Sequence, residues 1–257
     1  MGDEYTAESS VVPVRFEAWV AEAVTLTETR RGAQQPMELD SAMFPTSIWL
    51  GALIVYASLL LLAIRHAPWR RLGDSDQLHV FLGSCAFLIM LWLLRTEMQA
   101  GLVFHLLAVT SLTLMFGWSL AVVGVALVLL AISLGGLADL RSFGLNGLIE
   151  GVLPISLTWI ALLLTRHYLP RHFFIYVFIN AFLVGGLAAV LTAFLVSAFL
   201  LLSGAYTARQ LGDYYLPFFP LMFLPEAMLN GWIMTLLVGF KPHWVGSFSD
   251  ADYLDGK

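Results

Sequence analysis

From residue 45 to residue 240 the chain is a succession of apolar runs parted only by short polar interruptions. A helix needs about 20 apolar residues to cross the hydrocarbon core of a bilayer, and run after run approaches that length. Composition agrees: 59% of the residues are apolar and 12% charged, and the mean hydropathy is +0.82, more apolar side chain than a soluble core of this size requires. Lipid offers no partner to a free backbone N–H or C=O, so the spanning segments are expected to be helical. The expected fold class is an all-α, multi-pass integral membrane protein with one bundle of about seven transmembrane helices.

The seven spans are placed at residues 45–64, 78–94, 100–116, 118–136, 146–165, 172–204 and 215–240. The third and fourth are joined at a tight corner formed by Phe116, Gly117 and Trp118. The sixth exceeds one straight crossing, which predicts a tilt, a bend near Gly185 and Gly186, or a projecting end. Orientation is read from basic residues in the loops. Arg65, Arg70, Arg71, Arg166, Arg171, Lys241 and Lys257 fall on one side, against Arg95, Arg141 and Arg209 on the other. The richer side is expected to be cytoplasmic, giving an external amino terminus, an internal carboxyl terminus and residence in the plasma (inner) membrane.

Residues 1–44 form a separate acidic segment, with no basic start and no apolar stretch of signal-peptide type. It is either a polar tail with a weak helix around residues 14–24 or an extension upstream of a natural start at Met37, the preferred reading. Residues 45–245 make the membrane domain, and 246–257 a short cytoplasmic tail. Cys85 is the single cysteine, so neither an intrachain disulfide nor a cysteine metal cage is available. Neither Lys241 nor Lys257 follows a glycine-rich phosphate loop, which excludes an ATP-driven motor of that type within this chain. Ser203-Gly204 lacks the elbow sequence and base of a hydrolase. His79 and His105 fall at opposite ends of neighbouring spans, which removes a bis-histidine haem.

Polar groups inside the spans carry the functional reading, because an ionisable side chain in lipid requires a partner. His105 lies about six residues, roughly 8–9 Å, below the external end of the third span, and a neutral imidazole is a ligand for Ni, Co, Cu or Zn. In FGLNGLIEGVLP (143–154), Asn146 and Glu150 are four apart and share a helix face. Gly144, Gly147 and Gly151 line a face that allows close helix packing. Glu226 lies deep in the last span behind Pro217, Pro220 and Pro225, where freed carbonyls beside a carboxylate suit a protein-lined interior. Asn180 and Asn230 read as interhelical hydrogen-bond formers.

These stretches resemble the substrate-binding membrane subunits of energy-coupling-factor transporters for cobalt and nickel, the CbiM and NikM type. FGLNGLIEGVLP resembles that family's Leu-Gly-Ala-Asn block, with Gly144, Asn146, Gly151 and Pro154 at matching places. FHLLAVTSLTLMFGW resembles its His-Pro-Thr-Gly metal-binding block through His105. EAMLNGWIMTLLVGFKPHWV is similar to its final helix, and HAPWRRL (66–72) is similar to an element of a divergent branch. The resemblance implies a seven-helix bundle whose external amino terminus folds back, so that the terminal amine, a histidine in second position and the histidine of the third span hold the metal. This sequence departs from that pattern. Leu106, Leu107 and Ala108 replace Pro-Thr-Gly, and the second residue is Gly2, or Glu38 if the chain starts at Met37. An amine, Glu38 and His105 would be a more oxygen-rich ligand set.

The resemblance therefore implies a transition-metal importer component, with His105 as ligand, Asn146 orienting it, Glu150 in the polar interior and Glu226 supporting that interior. No permanently bound cofactor or enzymatic activity is expected, a divalent transition metal being the substrate. The implied partners are a coupling membrane subunit, ATPase subunits and the lipid bilayer, and no nucleic acid. The competing reading is a non-transporting scaffold of a larger membrane complex, its glycine faces making partner contacts.

Overall fold

The computed structural model describes residues 45–99, 102–249 and 253. The amino-terminal alternatives, and Glu38 with them, lie outside the described residues. Six helical segments among these residues are long and apolar enough to cross a membrane. They are α1 (Thr46–His66), α2 (Ser75–Leu93), α3 (Val109–Leu134), α4 (Leu140–Tyr168), α5 (Phe173–Leu202) and α6 (Ala208–Phe240). Large apolar side chains stud the outer faces of all six, Met90, Leu134, Phe178 and Trp232 among them, an arrangement that fits lipid.

The expected third span is the main departure. Residues 100–116 are not one helix. An antiparallel hairpin of β1 (Thr96–Gln99) and β2 (Leu102–Phe104) pairs Thr96 with Phe104 and Glu97 with Val103, and residues 105–108 are non-helical before α3 begins at Val109. His105 therefore sits on an irregular segment. Hydropathy missed this because it weighs side chains and is blind to backbone hydrogen bonding, and this segment draws its bonds from distant residues.

The corner at Gly117 is present. Its φ of 82° and ψ of 170° break α3 into two parts, a backbone region open essentially to glycine alone. The short first part doubles back on the second, bringing the Leu112 side chain to 3.2 Å from where a Cβ on Gly124 would stand. At its far end, Arg95 donates to the Leu137 carbonyl at 3.1 Å; at the corner, the Met115 carbonyl accepts from Gly246 N–H at 2.8 Å. Arg95 thus meets the chain just beyond the end of α3, while Leu112 lies against Gly124 of its second part.

α3 is the axis of the molecule. It packs against each of the other five helices, and its interior face holds Leu112, Leu114, Leu120, Val125 and Leu129. The glycine face of α4 is used within the chain. A Cβ at Gly144 would overlap the Leu53 backbone, one at Gly147 would overlap the Tyr56 ring, and one at Gly151 would stand 2.9 Å from Val125. α5 departs from α-helical form at a π-helical stretch, Tyr176–Leu183; Gly185 and Gly186 instead give close approach to Asn230 and Phe223 of α6. Asn180 accepts from Thr165 Oγ1 at 2.7 Å, the interhelical role expected of it.

Ser247, Phe248 and Tyr253 pack into the bundle. Tyr176 and Ser247 hydroxyls lie 2.6 Å apart, and the rings of Phe248 and Tyr253 stack on each other and meet Tyr176 edge-on.

Candidate functional site

The short segment from His105 to Ala108 is held from two sides. Ala108 adopts a left-handed conformation, φ 52°, disfavoured for a residue with a Cβ by about 1–2 kcal/mol. In return, consecutive amides converge on one acceptor group, as in a backbone nest. The Glu226 carboxyl is that group: Leu107 N–H donates to Oε2 at 2.8 Å and Ala108 N–H to Oε1 at 2.7 Å. Asn230 Nδ2 donates to the same Oε1 at 2.8 Å and to the Glu226 carbonyl. Asn230 Oδ1 accepts from both the amide and the hydroxyl of Ser111. On the other side, Trp92 Nε1 donates to the Leu107 carbonyl at 3.1 Å, and its ring meets that of His105 edge-on at 5.5 Å.

Glu226 thus has a more definite position than a general polar interior. It clamps the backbone beside His105, from a helix whose start is built around proline. Within α6 the chain passes through a 3-10 turn, Leu216–Phe218, into a regular α-helix, Phe219–Phe240; Pro217 and Pro220 occupy the first turns of these two parts, where no N–H is needed, while Pro225 lies inside the second, one residue before the carboxylate.

Clamped in this way, the His105 imidazole faces Glu150. Nε2 and Oε2 are 3.9 Å apart, with the two side chains 3% and 1% exposed. Glu150 lies in a π-helical turn, Gly147–Val152, a distortion that recurs where a helix re-aims a functional side chain. Asn146 precedes it on α4 and is also buried. Asn146 Oδ1, Tyr56 Oη and Thr192 Oγ1 are buried with no hydrogen-bond partner among the described residues. Thr192 and His105 line a cavity of about 20 Å³ together with Tyr215 and Met222, room for one water-sized occupant.

With metal–ligand bonds of about 2.1 Å to nitrogen and oxygen, two atoms on one ion lie at most about 4.2 Å apart, so a 3.9 Å gap is within reach of a shared ion. His105 and Glu150 offer an imidazole nitrogen and a carboxylate oxygen, a pair suited to a borderline divalent ion rather than a soft thiophilic one. Among the described residues no cluster of three or more His, Cys, Asp or Glu forms a self-sufficient cage.

Of the residues singled out in the sequence, His105, Glu150 and Asn146 fall in one buried region and Glu226 in the shell that orders it. Tyr56, Trp92 and Thr192 were missed. Tyr56 carried a signal, a phenol midway along an apolar helix that needs a polar neighbour; Thr192 carried none.

Comparison with known proteins gives two findings. The model of the CbiM family, the cobalt uptake substrate-specific transmembrane region, matches residues 39–244. A solved crystal structure of a transition metal transporter superposes with a TM-score of 0.60 at 16% sequence identity, covering 79% of this chain and 93% of that one, a likeness of fold. No curated protein sequence matches significantly.

Proposed function

Because this chain belongs to the CbiM family, we propose that it is the substrate-specific membrane component of a multi-subunit importer for a divalent transition-metal ion of the cobalt or nickel class. The observation that carries the reading is the buried His105–Glu150 pair, 3.9 Å apart, on a segment clamped by Glu226. An imidazole and a carboxylate buried among apolar helices are costly unless paired, and intramembrane groups of this kind mark substrate and ion pathways. His105 and Glu150 are the ligands of this proposal, Asn146 completes the set from the same helix, and Glu226 positions His105 through the backbone. Glu38 remains a further candidate ligand.

The partners of this reading are a coupling membrane subunit and ATPase subunits of the energy-coupling-factor type. The path from Arg95 to Phe116 counts as a seventh crossing, non-helical backbone being tolerated at membrane depth where protein surrounds it. The amino terminus is external, the carboxyl terminus cytoplasmic, and the chain resides in the plasma membrane. The scaffold reading relied on glycine faces being open to partners, and those of α4 are occupied by Leu53, Tyr56 and Val125.

The test is cobalt or nickel accumulation in cells that express the chain with its coupling and ATPase subunits. Accumulation above background with wild type, lost with His105→Ala at equal membrane abundance, is expected. Accumulation that is indifferent to the chain, or its recovery in mild detergent with a complex lacking any ATPase, would favour the scaffold.

A further inference from the structure

A second polar cavity lies at the Gly117 corner, at the other end of the first part of α3 from His105. Its volume is about 620 Å³, and Arg71, Arg166, His66, Ser119, Ser156 and Trp159 contribute to its wall. Among the described residues no Asp or Glu lines it. Arg71 donates to Gln77 Oε1 and to the carbonyls of Met115 and Trp244, and its guanidinium lies over the Phe116 ring. Arg166 donates to the Ser247 carbonyl. Neither has a carboxylate within ion-pair distance among the described residues. Of the five N–H donors a guanidinium carries, Arg71 commits three and Arg166 one.

Two half-buried guanidiniums sharing a cavity with no carboxylate in its wall among the described residues repel each other and bear a desolvation cost. Burial lowers the proton affinity of Arg71 from its ordinary value, a direction that a bound anion would reverse. The remaining lining matches an anion with an apolar body. The first turn of helix after Gly117 presents Trp118 and Ser119 to the cavity, a helix start that favours negative charge. Trp118 Nε1 is held by Ser156 Oγ at 2.9 Å. Trp159 and Ile160 carry the wall to the outer face of α4, where Ile160 is 54% exposed among the apolar side chains of that surface.

We propose that this cavity binds the phosphate of an anionic phospholipid, with Arg71 and Arg166 on the phosphate oxygens and the acyl chains leaving past Trp159 and Ile160. Planar guanidinium forks suit phosphate, and basic pockets between transmembrane helices are sites of such headgroups. The occupied site would tie together the α1–α2 loop, the Gly117 corner, the end of α4 and residues 244–247, all of which Arg71 or Arg166 already touches or faces.

The experiment uses the full chain in nanodiscs of mixed phosphatidylglycerol and phosphatidylcholine, with retained lipid counted by native mass spectrometry after gentle release. Wild type is expected to retain phosphatidylglycerol about 25-fold above its bulk ratio, about fivefold for each of the two arginines at the phosphate. Arg166→Gln, which leaves Arg71 in place, should lower that enrichment about fivefold, and Arg166→Lys should preserve part of it. Ser156→Asp, which keeps an acceptor for Trp118 while placing a carboxylate in the cavity, should do the same as Arg166→Gln and serves if that variant does not fold. Retention at the bulk ratio in wild type, or unchanged enrichment in both Arg166→Gln and Ser156→Asp, overturns the proposal. Inorganic phosphate that binds saturably in phosphatidylcholine-only nanodiscs and displaces phosphatidylglycerol overturns the lipid assignment.

Discussion

Replacing Glu226 by alanine should weaken metal binding without touching a proposed ligand. The carboxylate accepts the amides of Leu107 and Ala108 and one donor of Asn230, all buried. Removing it strands two backbone N–H groups, each at a cost of about 1–3 kcal/mol, and frees Ala108 to leave its left-handed conformation. A water entering the vacated space would satisfy one of the amides, leaving one stranded N–H, so about 1–3 kcal/mol is the expected loss of preference for the clamped segment. Expressed as a reduced population of the binding-competent state, this is about 5- to 150-fold in apparent affinity for Ni²⁺ or Co²⁺. Glu226→Gln keeps one acceptor but turns an NH₂ toward the second amide, so it should fall between the two. Isothermal titration of the full chain gives the affinity, and hydrogen exchange over residues 102–110 reports the segment itself. An affinity within threefold of wild type together with unchanged exchange would refute the clamp, since both observables depend on the same two bonds.

Other substitutions separate packing, backbone and ligand effects. Gly117→Ala has room, the nearest atom to its Cβ being Trp159 at 3.7 Å, so any loss is conformational; about 1–3 kcal/mol and a lower thermal midpoint are expected. Gly144→Ala meets the Leu53 backbone and should destabilise more severely, whereas Gly51→Ala, with nothing within 4 Å of its Cβ, should leave the midpoint in detergent unchanged. Asn146→Ala removes a buried acceptor with no hydrogen-bond partner among the described residues; about a tenfold loss of metal affinity with an unaltered melting curve is expected, and a collapse of stability instead would mark Asn146 as structural.

Much of the bundle was legible because hydropathy and helix length are coupled by the bilayer itself. The expected spans at 45–64, 78–94 and 172–204 correspond to α1, α2 and α5 within a few residues. The glycine spacing of α4 pointed to close packing, and Glu150 and Glu226 stood out as carboxylates in apolar surroundings. The segment around His105 was not legible. Its composition is that of a membrane helix, while its backbone is set by Glu226, 118 and 119 residues away along the chain, and by Trp92 on another helix. No local periodicity records bonds of that range. The pairing of His105 with Glu150 was hidden for the same reason: Asn146 and Glu150 could be placed on one face, but which segment that face meets depends on the hairpin and the clamp.

The most direct test of the central claim is X-ray absorption at the nickel edge on the Ni²⁺-loaded full chain, purified without a polyhistidine tag. A shell of nitrogen and oxygen with imidazole scattering is predicted in wild type. His105→Ala should lose the imidazole signal and about 100-fold or more in affinity, near the loss of one strong ligand. An imidazole signal and an affinity that both survive His105→Ala would contradict the assignment of His105 and Glu150 as the pair that holds the ion.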